Sequence, residues 1–226
     1  MKINANPTKS FFITMLTRDI SLDRAILDLI DNSVDAANTQ QSFEHLKVEI
    51  RIGEDMFEIQ DNCGGISEDI AVNYAFRFGR DPDDHRETPS SVGQFGVGMK
   101  RTLFKLGEGF RVESSFKNAN ENYEEFAIDV DVEDWLGDKG GDWGFELSRE
   151  NTSIKDGTKI TVNKLHESVK EQFLINEFLV SLKKEIAEAH FKAIKKGLLI
   201  TLNNEAISAS EIKLNISDEI KPIFIQ

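Results

Sequence analysis

Apolar residues recur at helical spacing from Ser21 to about Asn38, where Leu22, Ile26, Leu29, Ile30 and Ala37, with Val34 at the edge, form one stripe. A shorter apolar run predicts a helix near residues 10–17, and Ser21 stands where an N-cap of the longer helix belongs. Residues 46–52 and 56–60 alternate around Gly53-Glu54-Asp55, which predicts a β-hairpin. A helix is expected near 67–77 and another running to about Leu106, with alternating strands at 109–117 and 122–131. Residues 133–144, with Trp135, Trp143 and four glycines, look like a loop or surface excursion. Strands follow at 145–148 and 157–163, then a helical pattern from Glu167 to Lys196. Its inward positions are Phe173, Phe178, Leu182, Ile186, Ala189 and Ile194. Asn203-Asn204 predicts a small hairpin, and residues 222–226 look like a strand cut short. These elements make an α+β chain, a mixed, mainly antiparallel sheet with helices on one face in a two-layer α/β sandwich. A single domain is expected over 1–226, with a core of about 10–165 and a helix-and-hairpin extension over 166–226.

The polar side of the long helix carries the first candidate chemistry. Asp28, Asn32 and Asp35 fall at i, i+4 and i+7, so their side chains share one face, with Asp31 about a quarter-turn away. An ordinary amphipathic surface helix would show the same arc. Two glycine-bearing segments change the balance. Asp61 ends the second hairpin strand and is followed by Asn62-Cys63-Gly64-Gly65-Ile66, which by itself is also a common turn. Gly93-Gln94-Phe95-Gly96-Val97-Gly98 leads into a helix at Met99-Lys100, leaving free backbone N–H groups for an anion. A Walker A loop fails because Met99 separates Gly98 from Lys100, and Arg101 follows. The dinucleotide fingerprint fails because Arg101 stands where its third glycine should be.

The joint order of the Asn-bearing helix, the Asp-Gly turn, the glycine segment and Asp156-Gly157-Thr158-Lys159 resembles the GHKL superfamily (Bergerat fold) over residues 22–162. That superfamily includes the ATP-binding domains of DNA gyrase B subunits, ninety-kilodalton heat-shock chaperones, histidine kinases, MutL and MORC proteins. The run DLIDNSVDA looks closest to the hydrolysing branch and GQFGVGMK to the chaperone and MORC-like members. The resemblance implies ATP binding and Mg²⁺-dependent hydrolysis coupled to lid closure in a larger assembly. Asn32 would hold Mg²⁺ through its amide oxygen, a hard neutral ligand. Asp61 would accept from the adenine amine, with Thr158 helping to hold that carboxylate. Gly65 would let backbone approach the base closely. Asp35, Ala36 and Ile66 would line the nucleotide; Gly93, Gln94, Phe95, Gly96, Val97 and Gly98 would wrap its phosphates, with Lys100 beside them. A lid would lie within residues 67–97.

Two positions depart from the family's wording. Asp28 stands where hydrolysing relatives usually carry the glutamate that deprotonates water, on a stem shorter by about 1.5 Å. Misplacement on that scale costs about a hundredfold in rate. Hydrolysis is therefore expected to be slow, and a nucleotide-binding switch or scaffold with little turnover is the alternative function. Cys63 replaces the first glycine of the Asp-x-Gly-x-Gly pattern, so Gly64 is expected to take up the unusual backbone angles. A histidine protein kinase is disfavoured, because no histidine precedes His45.

Composition narrows the partners. Twenty-seven Lys and Arg against 40 Asp and Glu give a net charge of −13, which disfavours direct nucleic-acid binding. The single cysteine excludes an intrachain disulfide and suits a reducing, cytoplasmic setting. The scattered histidines lack zinc-ligand spacing, and no apolar run approaches the roughly 20 residues a membrane helix needs. The expected partners are ATP/ADP, a downstream transducer or effector domain, and a second copy in a nucleotide-dependent homodimer, with the chain forming the N-terminal part of a longer protein.

Overall fold

A computed structural model describes residues 3, 5–78, 98–138 and 142–210. Helix α1 (Lys9–Thr17) precedes α2 (Leu22–Asn38) and the hairpin β1 (Lys47–Ile52) and β2 (Phe57–Asp61). A short α3 (Glu68–Ile70) runs into a π-helical turn, Ala71–Ala75. Next come α4 (Gly98–Leu106), β3 (Gly107–Lys117), β4 (Tyr123–Asp131), α5 (Val132–Gly137), β5 (Leu147–Arg149) and β6 (Gly157–Leu165). Helices α6 (Glu167–Phe173), α7 (Asn176–Ala189) and α8 (Phe191–Lys195) lead to the closing hairpin, β7 (Leu199–Leu202) and β8 (Glu205–Ala206).

The strands form one sheet in the order β5-β4-β3-β6-β2-β1-β7-β8. Among the described residues only the β1–β7 pair is parallel, so the expected mixed, mainly antiparallel α+β sheet is present. Strand alternation makes the two layers. Val48, Ile50, Phe57, Ile59, Ile160, Val162, Phe110 and Val112 are buried on one face, against Ile26, Leu29 and Ile30 of α2 and Leu103 of α4. The intervening positions carry charge: Glu58 pairs with Arg51 at 2.7 Å and Lys159 at 3.0 Å on the opposite face. The same alternation puts Asp61, the last residue of β2, on the helix-covered face.

Three expectations need correction. Residues 133–137 are helix rather than loop, while 142–144 carry no helix or strand: Asp131 caps α5 by accepting from the Glu133 and Asp134 N–H groups, and Trp135 is buried. Its ring packs 5.6 Å from Phe104 and from Phe145 and 5.8 Å from Trp143, and Lys9 donates to its carbonyl at 2.7 Å. The pattern from Glu167 to Lys196 is three helices rather than one. On a straight helix Phe173 and Phe178 would point about 140° apart; the extended Ile175 between α6 and α7 brings their rings within 5.9 Å. Ala189 is exposed, and Ala187 takes the inward place. Ser21 does occupy the N-cap of α2, but its hydroxyl makes no capping bond. The Asn203-Asn204 hairpin forms with both residues at positive φ, and the Asn203 side chain bonds Ile52 N–H and C=O at 2.8 and 3.1 Å. Residues 222–226 and most of the expected lid lie outside the described residues.

Candidate functional site

Strand β2 delivers the Asp61 carboxylate beneath α2, 7 % exposed. Oδ2 accepts from the Ser33 hydroxyl at 2.8 Å; Oδ1 accepts from Cys63 N–H at 2.9 Å and more weakly from Thr158 N–H at 3.4 Å. Burial pushes Asp61 above the usual carboxylate range, and those donors pull it back part of the way. Thr158 thus reaches the carboxylate through its backbone. Cys63 is also buried, its thiol pushed up to about 12 by burial and by Asp61 beside it, so it behaves as an apolar filler.

The glycines after Asp61 are held by sterics. Gly64 and Gly65 take φ of +124° and +69°, so the unusual angles fall on both. A Cβ on Gly65 would run into the Ser115 carbonyl, and one on Gly157 into the carbonyl of Asp61 itself. Ile66 is fixed by Ser114, whose hydroxyl accepts from its N–H at 2.7 Å and donates to its C=O at 2.9 Å. Gln40 donates to Cys63 C=O at 3.0 Å, tying the end of α2 to the turn.

Along α2 the character changes from neutral to ionic. Asn32 is exposed, Asp35 and Ala36 are half-buried, and Ala36 packs against the core. One turn before Asn32, Asp28 is 11 % exposed. Its Oδ2 pairs with the Arg101 guanidinium of α4, and its Oδ1 lies 3.5 Å from Arg24 Nε. Arg24 also lies 3.8 Å from Asp31, and Asp31 lies 3.8 Å from the buried His190 between α7 and α8. Burial is the main cause that pushes Asp31 up to about 6; Arg24 opposes it, while Asp28 and Asp35 add to it. Gly98 abuts the same Asp28 oxygen, 3.7 Å from where its Cβ would stand.

Lys100 is buried rather than lying open at the helix start. Its Nζ donates to Ala75 C=O at 2.6 Å and lies 5.9 Å from the Phe78 ring, and burial brings it down to about 8. Gly93, Gln94, Phe95, Gly96 and Val97 lie outside the described residues. The structure therefore gathers Asp28, Asn32, Asp61, Gly65, Ile66, Gly98, Lys100 and Thr158 around α2, the β2 end and the start of α4.

Sequence reasoning missed Ser33, Arg24 and Arg101. Ser33 carried a signal: it sits at i+3 from Ile30 and i−4 from Ala37, a hydroxyl on the buried stripe. The two arginines carried none, since an arginine on a polar arc is ordinarily solvated.

Residues 20–158, more than half of the chain, match the family described as histidine kinase-, DNA gyrase B-, and HSP90-like ATPase. The chain belongs to that family of ATP-binding domains, and the α+β sandwich and motif order agree with it. A comparison with curated proteins finds no match. Among the described residues no helix is long and apolar enough to cross a membrane, and no His, Cys, Asp and Glu group could hold a metal by itself.

Proposed function

We propose that this chain binds ATP between α2, the Asp61 turn and the glycine segment before α4, and hydrolyses it slowly with Asp28 as the base. The observation that carries the reading is the Asp61 carboxylate, buried without a cationic partner among the described residues and held by neutral donors from α2, its own turn and β6. A carboxylate desolvated in that way suits a neutral donor such as the adenine amine. The exposed Asn32 amide, one turn from Asp28, suits Mg²⁺, which takes hard oxygen ligands and retains water and phosphate in the rest of its shell. When bound, the ion would offset phosphate charge; Asp35, Ala36, Gly65, Ile66, Gly93, Gln94, Phe95, Gly96, Val97, Gly98, Lys100 and Thr158 complete the proposed surround.

The pairing of Asp28 with Arg101 and Arg24 favours a second reading, a nucleotide-dependent switch that seldom turns over. A carboxylate engaged at both oxygens is less available to a water molecule. Phosphate release separates the two. For the enzyme, Asp28→Asn abolishes release while calorimetry still detects ATP; for the switch, wild type releases none above background even with a partner domain. Asp61→Ala should remove ATP binding in either case, and retention of it would end both readings.

A further inference from the structure

We propose that Arg101 is the residue that reads the terminal phosphate of the nucleotide, with Asp28 as the carboxylate that aims it. This rests on the ATP reading of the site. The guanidinium reaches Asp28 Oδ2 through Nη2, whereas its Nε is buried without a hydrogen-bond partner among the described residues. Nε and Nη2 make the side edge of the guanidinium, a fork whose preferred ligand is a pair of oxygens on one carboxylate or phosphate. Asp28 does not fill that fork, since its other oxygen faces Arg24 at 3.5 Å. One donor of the fork is thus left over, and a buried orphan N–H of a cation is costly enough to call for an acceptor.

The acceptor's place follows from the neighbours. Gly98, the last glycine of the proposed phosphate segment, approaches the same Asp28 oxygen that Arg101 holds. The Arg101 side chain as a whole is 32 % exposed, so a ligand can reach the guanidinium, whereas the covered Nε meets it only after a shift of the side chain. The platform beneath is stiff: Thr102, the next residue, is fully buried and donates from its hydroxyl to Ala25 C=O at 2.7 Å, locking α4 to α2. An anion arriving at the start of α4 therefore meets a guanidinium already steered by Asp28. The outermost phosphate, with the most charge and the most free oxygens, would gain most from it. Arg101 is in this way a specificity determinant for triphosphate over diphosphate. Lys100, whose ammonium is engaged with Ala75, is a poorer candidate for that discrimination.

Calorimetry with Mg·ATP and Mg·ADP on wild type, Arg101→Met and Arg101→Lys tests this, with thermal melts to check folding. Arg101→Met should weaken ATP by about tenfold to a hundredfold and ADP by less than about threefold. Arg101→Lys should recover part of the loss, because it keeps the charge and loses the fork. Should Arg101→Met unfold, Arg101→Lys alone decides, through the ratio of ATP to ADP affinity. An unchanged ratio in a folded variant, with binding still dependent on Asp61, overturns the Arg101 assignment and leaves the site intact. A wild type that binds neither nucleotide overturns the site and the assignment together.

Discussion

The two ends of the site, five residues apart along α2 at Ser33 and at Asp28, are built on opposite principles. Around Asp61 the partners are neutral, short-range and mostly backbone, and they come from α2, the turn after β2, and β6. Around Asp28 the partners are charged side chains, shared: Arg24 serves both Asp28 and Asp31, and Asp28 serves both Arg24 and Arg101. A network pinned mostly by backbone has one arrangement, because two of its three donors are N–H groups fixed in a turn and a strand and the third is a short side chain on α2. Shared ion pairs can exchange partners at little cost, since each group keeps a counter-charge throughout. On the proposed ATP reading, one end would recognise the nucleotide and the other respond to it.

The comparison breaks most completely at Gly157. A Cβ there would stand 1.9 Å from the Asp61 carbonyl oxygen, so Gly157→Ala must push β6 away from β2 and carry the Thr158 N–H with it. Overpacking against backbone cannot be relieved by a rotamer change, so a loss of about 3 kcal/mol or more is expected in chemical denaturation. An alanine variant of unchanged stability would mean that the recognition end is softer than described. A smaller effect is expected from Ser33→Ala, which removes a single donor from a buried carboxylate. It should cost about 1–3 kcal/mol. It should also leave phosphate release per bound ATP unaltered, because it touches only the recognition end. A selective loss of turnover would show that the two ends are not separable.

This division also explains what was legible in the sequence. Asp28, Asn32, Asp61 and the glycines could be singled out as candidates because helical spacing and turn chemistry are local rules. The hairpins at 46–60 and 199–206 followed from alternation and from Asn203-Asn204 for the same reason. The break at Ile175 was hidden, because no glycine or proline marks it; only the shared aromatic pocket around Phe57 demands it. Trp135 was misplaced because glycine-rich flanks suggest a loop, while its burial depends on Phe104, Phe145 and Lys9, distant in sequence. Arg101 pairing with Asp28 across 73 positions is a tertiary fact of the same kind.

The mildest prediction probes the responsive end through pH. Asp31 is pushed up to about 6, from the 3.8 of a free aspartate, by burial above all; Arg24 pulls the other way, and the negative charges of Asp28 and Asp35 add to the rise. His190 does not rescue it: burial and Arg24 bring the imidazole down to about 4, so it is neutral at pH 7 and its 3.8 Å contact is no ion pair there. Between those two Asp31 values the folded chain holds a proton that the unfolded chain has released. Stability from this group is complete below about pH 4 and is lost as pH rises through about 6. Asp31→Asn abolishes that loss. Its melting temperature relative to wild type should therefore climb from about pH 4 and level off once pH has passed about 6, with the midpoint of the climb about halfway between. A flat difference across that range would mean that Arg24 fully compensates Asp31. Arg24→Met, by leaving Asp31 without its cation, should then move the climb to higher pH.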